Sequence, residues 1–299
     1  MVYFLDSDTP DAYTNLARDE LILNELRPGD IALYLYVNGN AVIIGRNQNP
    51  LIECNMAQLD ADNVQLVRRV SGGGAVYHDS GNLNYSFIAS AEIYDEARQT
   101  GVIMNALKSF GIECEVSGRN DLTVQGHKFS GNAFCGRGGN RQHHGTLLIS
   151  SRLGVFARYL TAPKQKLEAK GVKSVRARVC NLNEFNPDIT VESMKCALKQ
   201  AFEGEYGPAS PFAADETRVA VLREQRKAWE WRIGETPSFD CMLTHRFAWG
   251  TAEIGMNVQN GIIRAVRVYT DSLDVDIPER IGQKLIGMKF DEEEIISRL

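Results

Sequence analysis

No run of apolar residues in this 299-residue chain approaches the roughly 18 needed to cross a bilayer. Residues 1–11 also lack a basic start leading into an apolar run and a small-residue cleavage site. The expectation is therefore a chain without membrane partner or export signal, cytoplasmic in setting. Cysteine is thinly spread: the six at Cys54, Cys114, Cys135, Cys180, Cys196 and Cys241 never stand two residues apart, which gives neither a zinc ribbon nor a disulfide framework. Metal spacing is missing among His78, His127, His143 and His144 too, since neighbours on a strand point to opposite faces and no His-Glu-x-x-His occurs. There is no Gly-Lys-Ser/Thr of a P-loop, and Tyr77 stands where a Rossmann fingerprint needs its third glycine. Basic repeats interleaved with aromatics are lacking, so nucleic acid is not an expected partner.

What is present is an ordinary globular composition, 43% hydrophobic and 24% charged with a net charge of −5. Its distribution is uneven. Residues 119–178 carry twelve basic side chains against Asp121 and Glu168, a local charge of +10, while the remainder stands at −15. A solvated basic face and a phosphate-bearing ligand are both compatible with that segment.

The pattern predicts a strand at 2–5, a helix from Thr9-Pro10 to Leu26, and a hairpin of 31–37 with 41–44 through Asn38-Gly39-Asn40. Strands follow at 64–70, 74–78 and 83–89, then a helix over 96–110, strands near 121–124, 128–134 and 144–150, and helices near 153–160, 191–202 and 216–231. Strict β-α alternation is missing. The expected class is α+β, with a mixed or antiparallel sheet flanked by helices. Gly234 to Ser238 marks a boundary between a unit of 1–237 and a small α+β unit of 238–299, with strands at 247–258 and 261–269 and a helix at 279–285.

Three segments carry chemistry. In Arg68-Arg69-Val70-Ser71-Gly72-Gly73-Gly74-Ala75-Val76-Tyr77-His78-Asp79, three glycines after a strand let backbone N–H groups approach an anion, with Arg69 and Ser71 on one face. A tight turn between strands uses glycine equally well. Lys128 lies among glycines in Gly126-His127-Lys128-Phe129-Ser130-Gly131, where an ammonium can neutralise charge developing between a carboxylate and a phosphate. Asp121 nearby is a candidate to hold magnesium beside phosphates, or to bond a turn. Lys170 to Val179, basic residues after a small hinge, reads as a loop over an anionic intermediate or as a solvated loop. Cys135 and Cys180 are the candidate nucleophiles if a cysteine mechanism operates.

Taken together, RRVSGGGAVYHDSGNLN at 68–84, GRNDL at 118–122, HKFSGNA at 127–133, HHGTLL at 143–148 and KGVKSVRARVCNL at 170–182 resemble the lipoate–protein ligases. IGRNQNP at 44–50 and the RFAWG and TDSL segments of the second unit are similar to the same family, so the resemblance spans essentially the whole chain. It implies a biotin/lipoyl ligase-like catalytic domain with an accessory domain that is shorter here than usual. The implied reaction joins lipoate and ATP into lipoyl-AMP with release of pyrophosphate, then passes the lipoyl group to a lysine of carrier domains: 2-oxoacid dehydrogenase E2 subunits and the glycine cleavage H protein. It also implies Lys128 as the catalytic residue that contacts both lipoate and the α-phosphate. Arg69, Gly74, Ala75, Val76, Tyr77 and Asp121 match nucleotide-binding positions. Ser71, His78 and His144 fall at the lipoate pocket, Lys173, Ser174 and Arg178 lie in an adenylate-covering loop, and Mg2+ accompanies ATP, with Asp121 as its protein ligand. The alternative on the same scaffold is an octanoyl or lipoyl transferase acting through a cysteine without ATP. A non-catalytic binding protein and a biotin ligase fit Lys128 and Arg68 to Gly74 less well.

Overall fold

The computed structural model describes residues 1–118, 120–161, 179–233, 239, 241–259 and 261–299. Two strands, β2 (Ile31–Val37) and β6 (Asn82–Ser90), are buried almost throughout their length, so both faces of the sheet containing them must be covered. That sheet also contains β1 (Val2–Asp6), β7 (Glu115–Ser117), β8 (Asp121–Val124), β9 (His127–Arg137), β10 (Asn140–Leu148) and β11 (Ser210–Pro211), in the order β11-β1-β2-β6-β10-β9-β8-β7. It is mixed: β1 runs parallel to β2 and β11, and the other pairs are antiparallel.

The strand period of two divides the core. Ile31, Leu33, Leu35, Leu83, Tyr85 and Phe87 face the helices Glu96–Lys108 and Val191–Tyr206. Ala32, Tyr34, Tyr36 and Ile88 face the helix Ala12–Glu25 and a second sheet of β3 (Ala41–Ile44), β4 (Gln65–Arg68) and β5 (Val76–His78). On this second face the alternate β6 residues Asn82, Asn84 and Ser86 are polar yet buried, which marks where the sheet stops being plain core.

The expected hairpin of 31–37 with 41–44 does not form. The structure gives β2 to the large sheet and β3 to the small one, where β3 pairs in parallel with β4 and antiparallel with β5. Fully buried Asn38 accepts from Asn15 Nδ2 at 2.9 Å and lies 3.0 Å from His78 Nδ1, while Gly39 N–H donates to Pro10 O. These bonds turn the chain out of one sheet into the other. The chain crosses back at Asp79–Gly81, with Asp79 accepting from the N–H groups of Gly81 and Arg152.

Smaller differences have local causes. The first helix is capped by Asp11, whose carboxylate accepts from Thr14 N–H and hydroxyl, rather than by Thr9. The helix expected over 216–231 breaks at Ala228 into Glu216–Lys227 and Trp229–Arg232. Only Phe156–Tyr159 is helical within 153–160.

The C-terminal unit is an antiparallel sheet of β12 (Cys241–Phe247), β13 (Gly250–Gln259) and β14 (Ile262–Thr270), packed on the helix Ile277–Leu285. A helix at Glu292–Arg298, absent from the sequence reading, adds Ile295 to its core. Residues 234–238, where the boundary was expected, lie outside the described residues.

One buried side chain ties these parts together. Arg68 donates to five backbone carbonyls: Gly45, Arg46 and Gln48 of the turn after β3, and Trp231 and Arg232 of the helix Trp229–Arg232. Trp231 returns a bond from Nε1 to Arg68 O. Arg68→Met keeps an unbranched stem but orphans those carbonyls, and should cost on the order of 3 kcal/mol of unfolding free energy. A urea midpoint equal to that of the unaltered chain would show that the carbonyls find other partners.

Candidate active site

A cavity of about 400 Å3, lined by both apolar and polar groups, opens between the two sheets on the polar face of β6. One part of the lining is apolar, with Leu148, Leu153, Phe156 and Leu160, and the segment Gly73 to His78 forms a neighbouring edge. Lys128 and Asn132 come from β9, and His144 and Thr146 from β10.

A register irregularity between β8 and β9, at Leu122/Thr123, brings Lys128 to the site. Its ammonium lies 2.7 Å from Asp121 Oδ1 and directly over Gly131, where an added Cβ would stand 3.1 Å from Nζ. Both partners are about one-third exposed, so the pair serves to aim the ammonium rather than to stabilise the fold. Asp121 thus holds Lys128. Among the described residues no three His, Cys, Asp or Glu side chains gather as a metal site, and the Asp121 carboxylate is paired with Lys128.

The glycine segment does two jobs. Gly72 and Gly73 are buried against the C-terminal unit: a Cβ on Gly72 would stand 2.4 Å from Ser272 O, Gly73 has φ +92°, and its N–H is taken by Ser272 O at 2.8 Å. Gly72 is a packing residue and Gly73 lines the cavity with its N–H spent on Ser272, so the three do not all turn N–H groups toward an anion as expected. Gly74, Ala75, Val76 and Tyr77 remain on the cavity side. Tyr77 hydroxyl bonds Asn40 and Arg152, and its ring stacks on Tyr159 at 5.2 Å.

Arg69 is at the cavity edge, but its guanidinium is spent on the loop: it donates to Gly72 O at 2.6 Å, Gly74 O at 2.9 Å, Ile43 O and Ser71 Oγ. It gives the glycine edge its shape. Ser71 is fully buried behind the cavity wall and lies 2.7 Å from His144 Nε2, so it reaches the cavity only through that imidazole. His78 lines the cavity, with Nδ1 on Asn38.

Burial depresses His78, His143 and His144 to about 3 each, and the Arg69 charge adds to the effect on His78 and His144. All three are neutral at physiological pH, and each serves as a fixed hydrogen-bonding group. His127 stands apart, exposed, against Gln125 O.

Of the basic segment's described members, Lys128 and Arg152 reach the cavity, whereas Arg137 and Arg158 pair with Glu20 and Asp62. The segment is therefore not a single patch. Lys173, Ser174 and Arg178 lie outside the described residues; Leu160 and Val179, near the ends of that stretch, both line the cavity. Sequence reasoning missed Asn120, Asn132, Arg152 and Leu273 of the C-terminal unit. Asparagines inside strands were the available signal for the first two, because a buried amide needs partners.

With this geometry in place, the comparisons decide the family. The sequence matches the lipoyl protein ligase A/B catalytic domain over residues 11–203 and the bacterial lipoate protein ligase C-terminus over residues 236–299. The chain belongs to the lipoate–protein ligase family. It is 40% identical to a lipoate-protein ligase A of Psychrobacter cryohalolentis, over 97% of this chain and 89% of that protein. The crystal structure of P. falciparum LipL1 in complex with lipoate shares the fold at a TM-score of 0.86 and 29% identity, covering 100% of this chain and 95% of that one. A bi-partite lipoate protein ligase from Thermoplasma acidophilum, described with its E2 lipoyl domain, follows at 0.71 and 26% identity, with 80% and 98% covered. The α+β expectation, with a large mixed sheet and a small C-terminal sheet unit, agrees with these ligase structures.

The buried histidines give this family member a pH signature. Between about pH 6.5 and 4 the unfolded chain binds protons on His78, His143 and His144 that the native state refuses. Asp19, raised to about 7 by burial, acts oppositely, because the native state keeps a proton there that the unfolded chain releases above about pH 4. The unfolded state thus holds a net two protons more, and stability falls on acidification by about 2.7 kcal/mol per pH unit at most. Denaturant titrations at pH 6.5, 5.5 and 5 measure this slope; equal stability at all three would contradict it.

Proposed function

We propose that this chain activates lipoate with ATP, forming lipoyl-AMP and pyrophosphate, and then transfers the lipoyl group to a lysine of lipoyl-carrier domains. Expected acceptors are 2-oxoacid dehydrogenase E2 subunits and the glycine cleavage H protein. The observation that carries the reading is Lys128: a cation held by Asp121 over Gly131, facing one cavity that joins an apolar wall to a glycine edge. The apolar wall suits the acyl chain and the edge at Gly74 to Tyr77 suits the nucleotide.

In the first step a carboxylate oxygen of lipoate attacks the α-phosphorus, the bond to the β-phosphate oxygen breaks, and pyrophosphate leaves. Negative charge converges between carboxylate and phosphate, and a pre-placed ammonium lowers that barrier without reorganising. In the second step the acceptor amine attacks the acyl carbon, AMP leaves, and the amine gives up a proton as the amide forms. Neither step needs an enzyme nucleophile.

The cysteine-based alternative is disfavoured by the thiols themselves. None of the six lines the cavity. Burial pushes Cys54 and Cys135 up to about 12 and Cys114 and Cys180 up to about 11, so thiolate is scarce at neutral pH.

Lipoate-dependent pyrophosphate release from ATP is the test, followed by the mass of an unmodified lipoyl domain added afterwards. Lys128→Ala should lower the first rate by about 100- to 1,000-fold. Carrier modification that proceeds from an acylated donor without ATP, and is lost on replacing a cysteine, would replace this reading with the transferase.

A further inference from the structure

We propose that Asn132 is a positioning residue for Lys128, part of a buried amide relay that sets where the ammonium stands. The proposal rests on the adenylation reading given above. Asn132 follows Gly131 on β9 and is clamped to the loop before β8 by reciprocal bonds: its backbone N–H and its Nδ2 both donate to Asn120 O, at 2.8 and 3.0 Å, and Asn120 Nδ2 donates to Asn132 O. Asn120 is the neighbour of Asp121, the carboxylate that holds Lys128. Fixing Asn120 therefore fixes Asp121, while the same residue fixes Gly131 beneath the ammonium.

The amide is itself fixed from behind. Asn132 Oδ1 accepts from the Tyr85 hydroxyl and lies 2.9 Å from His143 Nε2. Tyr85 on β6, Gly145 on β10 and Asn132 on β9 are register partners on three adjacent strands. Only a glycine in the middle lets the tyrosine reach across, because a Cβ on Gly145 would stand 2.5 Å from the Tyr85 oxygen. His143 is neutral, so to serve Asn132 its single proton must be on Nε2, which leaves Nδ1 as an acceptor 3.2 Å from Gln99 Oε1, itself an acceptor. Gln99 Nε2 has no other partner; turned toward Nδ1 it completes the relay from the helix Glu96–Lys108 to the loop at Asp121.

The role is specific to the direction of the amide. Asn132→Asp preserves shape and the acceptor for Tyr85 and His143, but replaces the donor to Asn120 O with a second acceptor. Single-turnover pyrophosphate release and the lipoate KM of the full chain are measured for Asn132→Asp and Tyr85→Phe between pH 6 and 8.5, with thermal unfolding beside them. At pH 8 Asn132→Asp should lose about 10- to 100-fold in rate with the lipoate KM changed less than about threefold. Its rate relative to the unaltered chain should rise as pH falls, because a protonated carboxyl regains a donor toward Asn120. Tyr85→Phe should lose rate more mildly. An unchanged rate for Asn132→Asp overturns the proposal, as does a pH-independent loss that tracks a lowered melting temperature. No lipoate-dependent pyrophosphate from the unaltered chain would instead overturn the proposed function, and this role with it.

Discussion

Two adjacent arginines, one buried and one partly buried, bind the site together through backbone carbonyls instead of carboxylates. Arg68 reaches five carbonyls on two segments far apart in sequence, and Arg69 reaches those of Gly72 and Gly74 on its own loop. Burial lowers both to about 10, so they stay charged at neutral pH and must be solvated by the protein. Carbonyl dipoles perform that solvation only if the backbone takes one particular path. The shape of the glycine edge, the seat of the C-terminal unit and the neutrality of the nearby imidazoles all depend on it.

The cavity forms where two sheets part. Along β2 and β6 the large sheet is core on both faces, and the chain leaves it at Asn38 and returns at Asp79 to Gly81. Each crossing strands polar backbone in the interior, and Asn15, donating to Val37 O, and Asp79, accepting from Gly81 and Arg152 N–H, supply partners. Beyond the crossings β6 turns Asn82 and Asn84 toward the gap. The apolar wall and the glycine edge then enclose a space that an acyl chain and an anion can share.

The charge economy there is sparse. His78, His143 and His144 are neutral, and Arg69 is occupied by its loop. Among the described residues Lys128 is consequently the cation that faces a ligand from the β9 side, and its restraints decide where it stands. Asp121, Gly131 and the asparagine relay behind them restrict the ammonium to a small region, which is what electrostatic catalysis asks of a flexible side chain.

Much of this was legible in the sequence. β-prone runs marked β2, β6 and β14, glycines and lysine marked β9, and the ordered motifs from Arg68 to Leu148 pointed to the family. Other features had no local signature. Asn38-Gly39-Asn40 carries hairpin chemistry, and only the covering of both sheet faces sends the chain elsewhere. The triple glycine looked like an anion cradle because nothing local shows that Ser272, two hundred residues on, occupies two of the three. The basic segment counted as one charge block until the fold sent Arg137 and Arg158 to separate acids. By itself, then, the sequence determined the strand and helix periodicities, the α+β class and the identity of the chemical groups, since these follow from covalent structure and short-range sterics. The tertiary structure alone decided which groups meet, which are neutral and which are consumed in holding the backbone, because hydrogen bonding and desolvation depend on neighbours far apart along the chain.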